Sequence, residues 1–147
     1  MKNKLAGAYF ETGKQLLLEH NFEQAVENFS KVLEIDIKHW GAYANLGIAL
    51  KNLGMFKDAL VALERANKLK PKQPEIYNNI GNIYAHIGDF DKAKKYYEDA
   101  INLRPGYVEA YRNLAEITFQ QLKTKKGKQL EFEANKIIVK KEKGLKI

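Results

Sequence analysis

Cysteine is absent from the 147 residues, so neither a disulfide framework nor thiolate chemistry is open to this chain. That absence fits a reducing compartment, and a cytoplasmic location is the expectation that follows. No apolar run approaches the roughly 20 residues needed to span a bilayer. The start, Met1-Lys2-Asn3-Lys4, carries lysines but lacks the apolar stretch that follows them in a secretory signal, because Leu5–Phe10 is short and leads straight into a helical pattern. Histidine is scarce: His20, His39 and His86 fall at dissimilar places, and none has a second histidine at metal-binding spacing. No Walker loop, nucleophile elbow or glycine-rich phosphate motif is present. The carboxylates, though many, fall on helix surfaces, where they read as solvated charges. Catalysis, a bound metal and a cofactor are therefore not expected.

What the chain does have is self-similarity. Tyr43, Gly47, Gly54, Phe56, Ala59, Ala66 and Pro71 recur 34 residues later as Tyr77, Gly81, Gly88, Phe90, Ala93, Ala100 and Pro105. One period earlier stand Tyr9, Gly13, Phe22, Ala25 and Phe29, with Val32 in place of the second alanine and Ile37 in place of the proline. One period later only Tyr111, Leu114 and Ala115 continue the match. A repeat of this size implies a helical array, with a long surface and no natural place for a catalytic pocket. The copies run over about 6–39, 40–73 and 74–107, with a half-copy over 108–122.

Each copy reads as two helices. Tyr77, Ile80, Gly81 and Tyr84 share one helical face, and Phe90, Ala93, Tyr97, Ala100 and Ile101 share a second. Gly54 and Gly88 stand where a left-handed C-terminal cap ends the first helix, and Asp89 stands where the next helix needs an N-cap. Pro71 and Pro105 stop the second helix. Helices are thus expected near 6–20 and 22–36, 40–53 and 56–69, 74–87 and 90–103, and 108–122 and 128–144. Gly47 and Gly81 fall mid-helix, at a cost of about 1 kcal/mol each against alanine. A bulky side chain must approach there, with Phe56 and Phe90 of the paired helix, or Tyr77 and Tyr111 of the next copy, as the expected partners. The aromatic residues on the repeat register read as core. Trp40, at a junction between copies, reads as a packing residue.

The motifs resemble the tetratricopeptide repeat. Tyr43-x2-Leu46-Gly47-x2-Leu50, Ala59-x3-Leu63 and Pro71 match its Trp-x2-Leu-Gly-x2-Tyr, Ala-x3-Phe and Pro pattern, and the next copy adds Tyr84 and Tyr97. The first copy departs at Thr12, His20, Val32 and Ile37. The resemblance covers about two thirds of the chain. It implies an all-α, right-handed helical-repeat superhelix (an α-solenoid) of three helix pairs plus a fourth first-helix, acting in protein–protein interaction as an adaptor or scaffold.

Charge is unevenly placed. Residues 1–122 carry 16 Lys+Arg and 15 Asp+Glu, a net of +1, while residues 123–147 carry 9 lysines and 3 glutamates, a net of +6. Lys123-Thr124-Lys125-Lys126-Gly127-Lys128 reads as a polar loop. Beyond it Leu130, Ala134, Ile137, Ile138 and Leu145 recur at helical spacing, with Lys136, Lys140 and Lys143 largely off that face. An array exposes its last apolar face, so a capping helix with one polar side is expected over 128–144, and residues 123–147 form a basic loop-and-cap unit. The alternative is attachment to nucleic acid or an anionic membrane through Lys123, Lys125, Lys126, Lys128, Lys140 and Lys141. Against nucleic acid, this stretch has Phe132 as its one aromatic and no arginine, so stacking and bidentate base readout lack residues.

In arrays of this family the first helices line a concave groove. One inward position is asparagine in three copies, Asn45, Asn79 and Asn113. One residue earlier stand Phe10, Ala44, Asn78 and Arg112, and one turn later Lys14, Ile48, Asn82 and Glu116. A carboxamide donates and accepts, so a row of them suits the backbone of an extended peptide. The groove set is therefore Asn45, Asn79, Asn113, Asn78, Asn82, Lys14 and Arg112, and the expected partner is another protein, offering an extended segment or a helix. The family's clamp for a chaperone's C-terminal carboxylate is not expected. Of its matching positions, Phe10, Lys14, Asn45, Glu75 and Asn79, only Asn45 carries the required residue, and Glu75 would repel the acid.

Overall fold

The computed structural model describes residues 1–144, apart from the Lys141 side chain. Helices α1 (Lys2–Leu18), α2 (Phe22–Ile35), α3 (Trp40–Asn52), α4 (Phe56–Leu69), α5 (Pro74–Ile87), α6 (Phe90–Leu103) and α7 (Val108–Glu142) follow in order, with no strand among the described residues. α1 and α2, α3 and α4, and α5 and α6 pair as antiparallel neighbours, and each pair stacks on the next into a helical-repeat superhelix.

The boundaries have local causes. Asn21, His39 and Asp89 each cap a helix by accepting a backbone N–H, from Gln24 at 3.4 Å, Ala42 at 3.0 Å and Lys92 at 3.2 Å respectively. Pro74 opens α5, where its missing N–H costs nothing. Gly88 takes φ +90° after α5, and the Asp89 N–H closes back on the Tyr84 carbonyl. In the first copy the same turn falls to His20, at φ +57°, and this non-glycine carries the strain that Gly54 and Gly88 avoid.

The mid-helix glycines answer to partners other than those expected. A Cβ at Gly13 would stand 2.6 Å from Phe29, one at Gly47 2.6 Å from Leu63, and one at Gly81 2.6 Å from Tyr97. The close neighbour is the large residue in the middle of the second helix, not Phe56 or Phe90 at its start and not the tyrosine of the next copy. Helices crossing at mid-length bring their centres nearest, so the glycine sits where the crossing is tightest. Around these crossings lie Ala25, Phe29, Val32, Ala42 and Ala49, then Ala59, Leu63, Ala66, Ile76, Ile80 and Ile83, then Ala93, Tyr97 and Ile117, all buried. Each large side chain among them contributes about 1.5–3 kcal/mol by leaving water.

The C-terminal part differs from expectation. There is no loop at Lys123–Lys128 and no separate helix beginning at 128: α7 runs unbroken for 35 residues. Lysine, glutamine, leucine and glutamate are good helix formers, no proline intervenes, and Gly127 costs only about 1 kcal/mol. Thr124 Oγ1 donates to the Gln120 carbonyl at 2.9 Å, a one-turn bond that runs from the helix into the supposed loop. A helix that continues straight cannot fold back over its own first half. Tyr111, Phe119 and Leu122 accordingly remain exposed, at 47%, 62% and 62%. Leu145 and Lys146 lie outside the described residues.

Candidate functional site

The first helices of the pairs, with α7, enclose a hollow of about 570 Å³. Phe10 reaches it from α1; Trp40, Ala44, Asn45 and Ile48 from α3; Ile76, Asn78 and Asn79 from α5; Glu109 from α7. Its walls set aromatic and aliphatic side chains among the amides of Asn45, Gln73, Asn78 and Asn79. Its lining includes the carboxylates Glu75 and Glu109 but no lysine or arginine. Glu75 shares its charge with Arg104, which pairs with it from outside the hollow. A smaller hollow of about 380 Å³ adjoins, where Lys14 and Asn45 meet. Lys14 holds Glu11 at 2.9 Å and lies 5.1 Å from the centre of the Phe10 ring.

The three asparagines of equal register do not behave alike. Asn45 Nδ2 donates to the Gly41 carbonyl and Asn79 Nδ2 to the Glu75 carbonyl, both at 2.9 Å and both within their own helix. Both line the hollow, and among the described residues neither carboxamide oxygen accepts a hydrogen bond. Asn113 instead donates to Asn78 Oδ1 and Asn82 Oδ1, each at 3.0 Å. The cause is the copy before. At the positions that Asn78 and Asn82 occupy, the earlier copies have Phe10 and Lys14, then Ala44 and Ile48, none of which offers an acceptor. The expected row of three is therefore two residues at the hollow and one committed inside the protein.

That commitment extends further. Tyr97 donates its phenol proton to Asn82 Oδ1 at 2.7 Å, and Asn78 Nδ2 donates to Glu109 Oε1 at 3.4 Å. Asn78 is 1% exposed, so these bonds satisfy groups that water cannot reach. Burial, and then the Glu109 charge, push the Tyr97 phenol up to about 12. The Tyr107 phenol is raised by burial and by Glu109 and Glu75, against which Arg104 and a hydrogen bond with Asn78 pull it down. Burial lowers Lys51, and the Glu109 carboxylate partly offsets that shift.

Of the remaining expected residues, Arg112 lies exposed on α7 away from the hollow. Lys123, Lys125, Lys126, Lys128 and Lys140 are exposed on the second half of α7, not gathered in a loop; the Lys141 side chain lies outside the described residues. Trp40, expected to pack at the junction between copies, is 38% exposed and lines the hollow as well. The signal was available: Trp40 stands where the other copies have Ala6, Pro74 and Val108, so it departs from the register that marks core residues. Tyr107, in the connection before α7, and Ile76, which shares the core face of α5 with Ile80 and Ile83, also line the hollow without having been expected there.

Among the described residues no group of three or more histidine, cysteine, aspartate or glutamate side chains is placed to hold a metal ion, and no helix is long and apolar enough to cross a membrane.

Family comparison matches two tetratricopeptide repeat descriptions to the chain, one over residues 16–83 and one over residues 74–107. No curated protein matches it. Among solved structures, the chain is similar to the first TPR domain of the human RPAP3 protein, at 24% identity and a TM-score of 0.76, covering 84% of this chain and 96% of that one. It is similar to MamA at 28% identity and a TM-score of 0.71, over 95% of this chain and 80% of that one. The first TPR of Spaghetti (RPAP3), bound to the HSP90 peptide SRMEEVD, matches at 22% identity and a TM-score of 0.74, over 81% of this chain and 94% of that one.

Proposed function

The chain belongs to the tetratricopeptide repeat family, and from that premise we propose that its concave hollow binds a segment of another protein, making it an adaptor or scaffold. The observation that carries this reading is the lining: aromatic and aliphatic side chains among amides, with Glu109, an Arg104-paired Glu75, and no lining lysine or arginine. Apolar walls supply affinity, and a few placed polar groups supply orientation. The free oxygens of Asn45 and Asn79 accept N–H groups from a bound backbone or an ammonium from a bound lysine.

The same lining selects the partner's chemistry. An acidic peptide such as the one bound by the Spaghetti domain would meet Glu75 and Glu109 as like charges. A segment carrying apolar side chains with lysine or arginine meets them as opposite charges. The partner is therefore an apolar, basic segment, extended or helical, rather than an acidic tail.

Trp40 is the single tryptophan and stands at the hollow, so its emission reports binding there directly. The probes are two synthetic peptides of equal length, one of alternating leucine and lysine and one of alternating leucine and glutamate. The basic peptide should shift Trp40 emission to the blue and saturate, with affinity falling as salt rises. The acidic peptide should not. Equal binding of both, or preference for the acidic peptide, overturns the reading.

A further inference from the structure

We infer that the hollow of one copy receives the C-terminal half of α7 from a second copy, so that the chain self-associates groove to tail. The inference rests on the groove reading above and names its occupant. Three observations carry it.

The first is the unspent apolar surface of α7. Leu130, Phe132, Ile137, Ile138 and Val139 are each between 46% and 62% exposed, on a stretch that packs against nothing. Leu130, Ala134, Ile137 and Ile138 fall at i, i+4, i+7 and i+8, one stripe of a helix. A contiguous apolar stripe on an exposed helix marks a surface that another surface covers.

The second is charge. Residues 123–147 carry a net of +6, and the hollow presents Glu109, with Glu75 beside it paired from outside by Arg104, and no lining lysine or arginine. Lys126 and Lys140 flank the apolar stripe. A helix laid apolar side down on Phe10, Trp40, Ile48 and Ile76 would bring such lysines to the carboxylates. Pairing of two tails with each other sets like charge against like and is disfavoured.

The third is reach. α7 is continuous from Val108 to Glu142. At 1.5 Å per residue, Leu130 to Lys140 lie about 30–45 Å along the axis from Glu109, directed away from the hollow. The tail cannot enter its own groove without breaking the helix, so the groove it enters is a neighbour's. A heterologous contact of this kind repeats from copy to copy and need not close at two.

The chain's lack of cysteine makes the test clean. Full-length Ala44→Cys, in the hollow, is mixed with full-length Ala134→Cys, on the apolar stripe of the tail, under mild oxidation. The expected product is the mixed Ala44→Cys to Ala134→Cys disulfide. Sedimentation of the wild-type chain should show mass rising with concentration and falling with salt. Lys126→Glu with Lys140→Glu should weaken association by roughly tenfold or more, and adding Glu75→Lys to that same chain should restore part of it. A chain monomeric at every concentration, or Ala134→Cys pairing only with itself, overturns the inference. If the chain stays monomeric while the leucine–lysine peptide still shifts Trp40, self-association is wrong and the groove reading stands. If neither occurs, both are wrong.

Discussion

Replacing Gly81 sets two effects of opposite sign against each other. In an open helix interior, glycine to alanine stabilises by about 1 kcal/mol. At Gly81 the new Cβ must occupy a point 2.6 Å from Tyr97 Cε1, 2.8 Å from Cδ1 and 3.2 Å from Cζ. The ring has little room to yield. Tyr97 is 2% exposed, and its hydroxyl is held by Asn82 Oδ1 at 2.7 Å. Overpacking a closed core costs about 1–3 kcal/mol, which meets or exceeds the propensity gain. Gly81→Ala should therefore lower stability slightly, and Gly81→Leu should lower it more. Gly127 is the control, mid-helix in α7 with nothing within 4 Å of a Cβ. Gly127→Ala and Gly127→Leu should both raise helix stability, by up to about 1 kcal/mol. Urea denaturation followed by far-ultraviolet circular dichroism reads the first series, and helix content near the transition reads the second. If the two series move in the same direction, the crossing at Gly81 is not closed and the packing argument fails.

Asn113→Ala should cost about 1–3 kcal/mol in urea denaturation, because it removes a donor from the buried Asn78 carboxamide, whereas Asn45→Ala should change stability by no more than about 0.5 kcal/mol. Stability should fall in alkali. The Tyr97 phenol titrates near 12 when folded and near 10 when unfolded, so its contribution is intact below pH 10 and is lost as pH rises from 10 to 12. That interval corresponds to roughly 2–3 kcal/mol. Tyr97→Phe should flatten this part of a melting-temperature profile against pH. Gly88→Ala should cost about 1–2 kcal/mol in the same denaturation assay, since the residue holds φ +90° with nothing nearby for a methyl to touch.

The fold was legible because its signals are local and repeated. Gly54 and Gly88 mark turns through backbone conformation, Asp89 marks a cap through one side-chain bond, and the 34-residue period reports each of these more than once. What the sequence withheld depends on relations between helices. The partner of Gly81 is decided by where two helices cross, a quantity without a residue pattern, so Tyr97 could not be singled out from Phe90. The asparagines share a register, yet their bonds are decided by what the preceding copy presents, and Asn113 departs from Asn45 for that reason alone. The break expected after Leu122 rested on reading a lysine-rich stretch as a loop. Charge density says little about backbone state when the residues are helix formers and no cap or proline interrupts them. Trp40 reads as a packing residue from its place at a junction between copies, and that place does not reveal that the ring also lines the hollow.

The bonds from Asn113 to Asn78 and Asn82 bear on how the chain avoids a particular mistake while folding. In an array of near-identical units, α7 could dock one unit too early, against α4 and α3, with α5 and α6 looped out. The apolar part of such a contact would be nearly native, because Ala59 and Leu63 stand where Ala93 and Tyr97 do. The polar part would not. Asn113 would face Ala44 and Ile48, and its amide would lose both acceptors, while Asn78 and Asn82 would be left to water. A buried amide stranded in this way costs about 1–3 kcal/mol, enough to make the shortened arrangement a minor species. The asparagine triad thus gives one junction of a repetitive molecule an address of its own, and it fixes the order in which interchangeable-looking parts assemble.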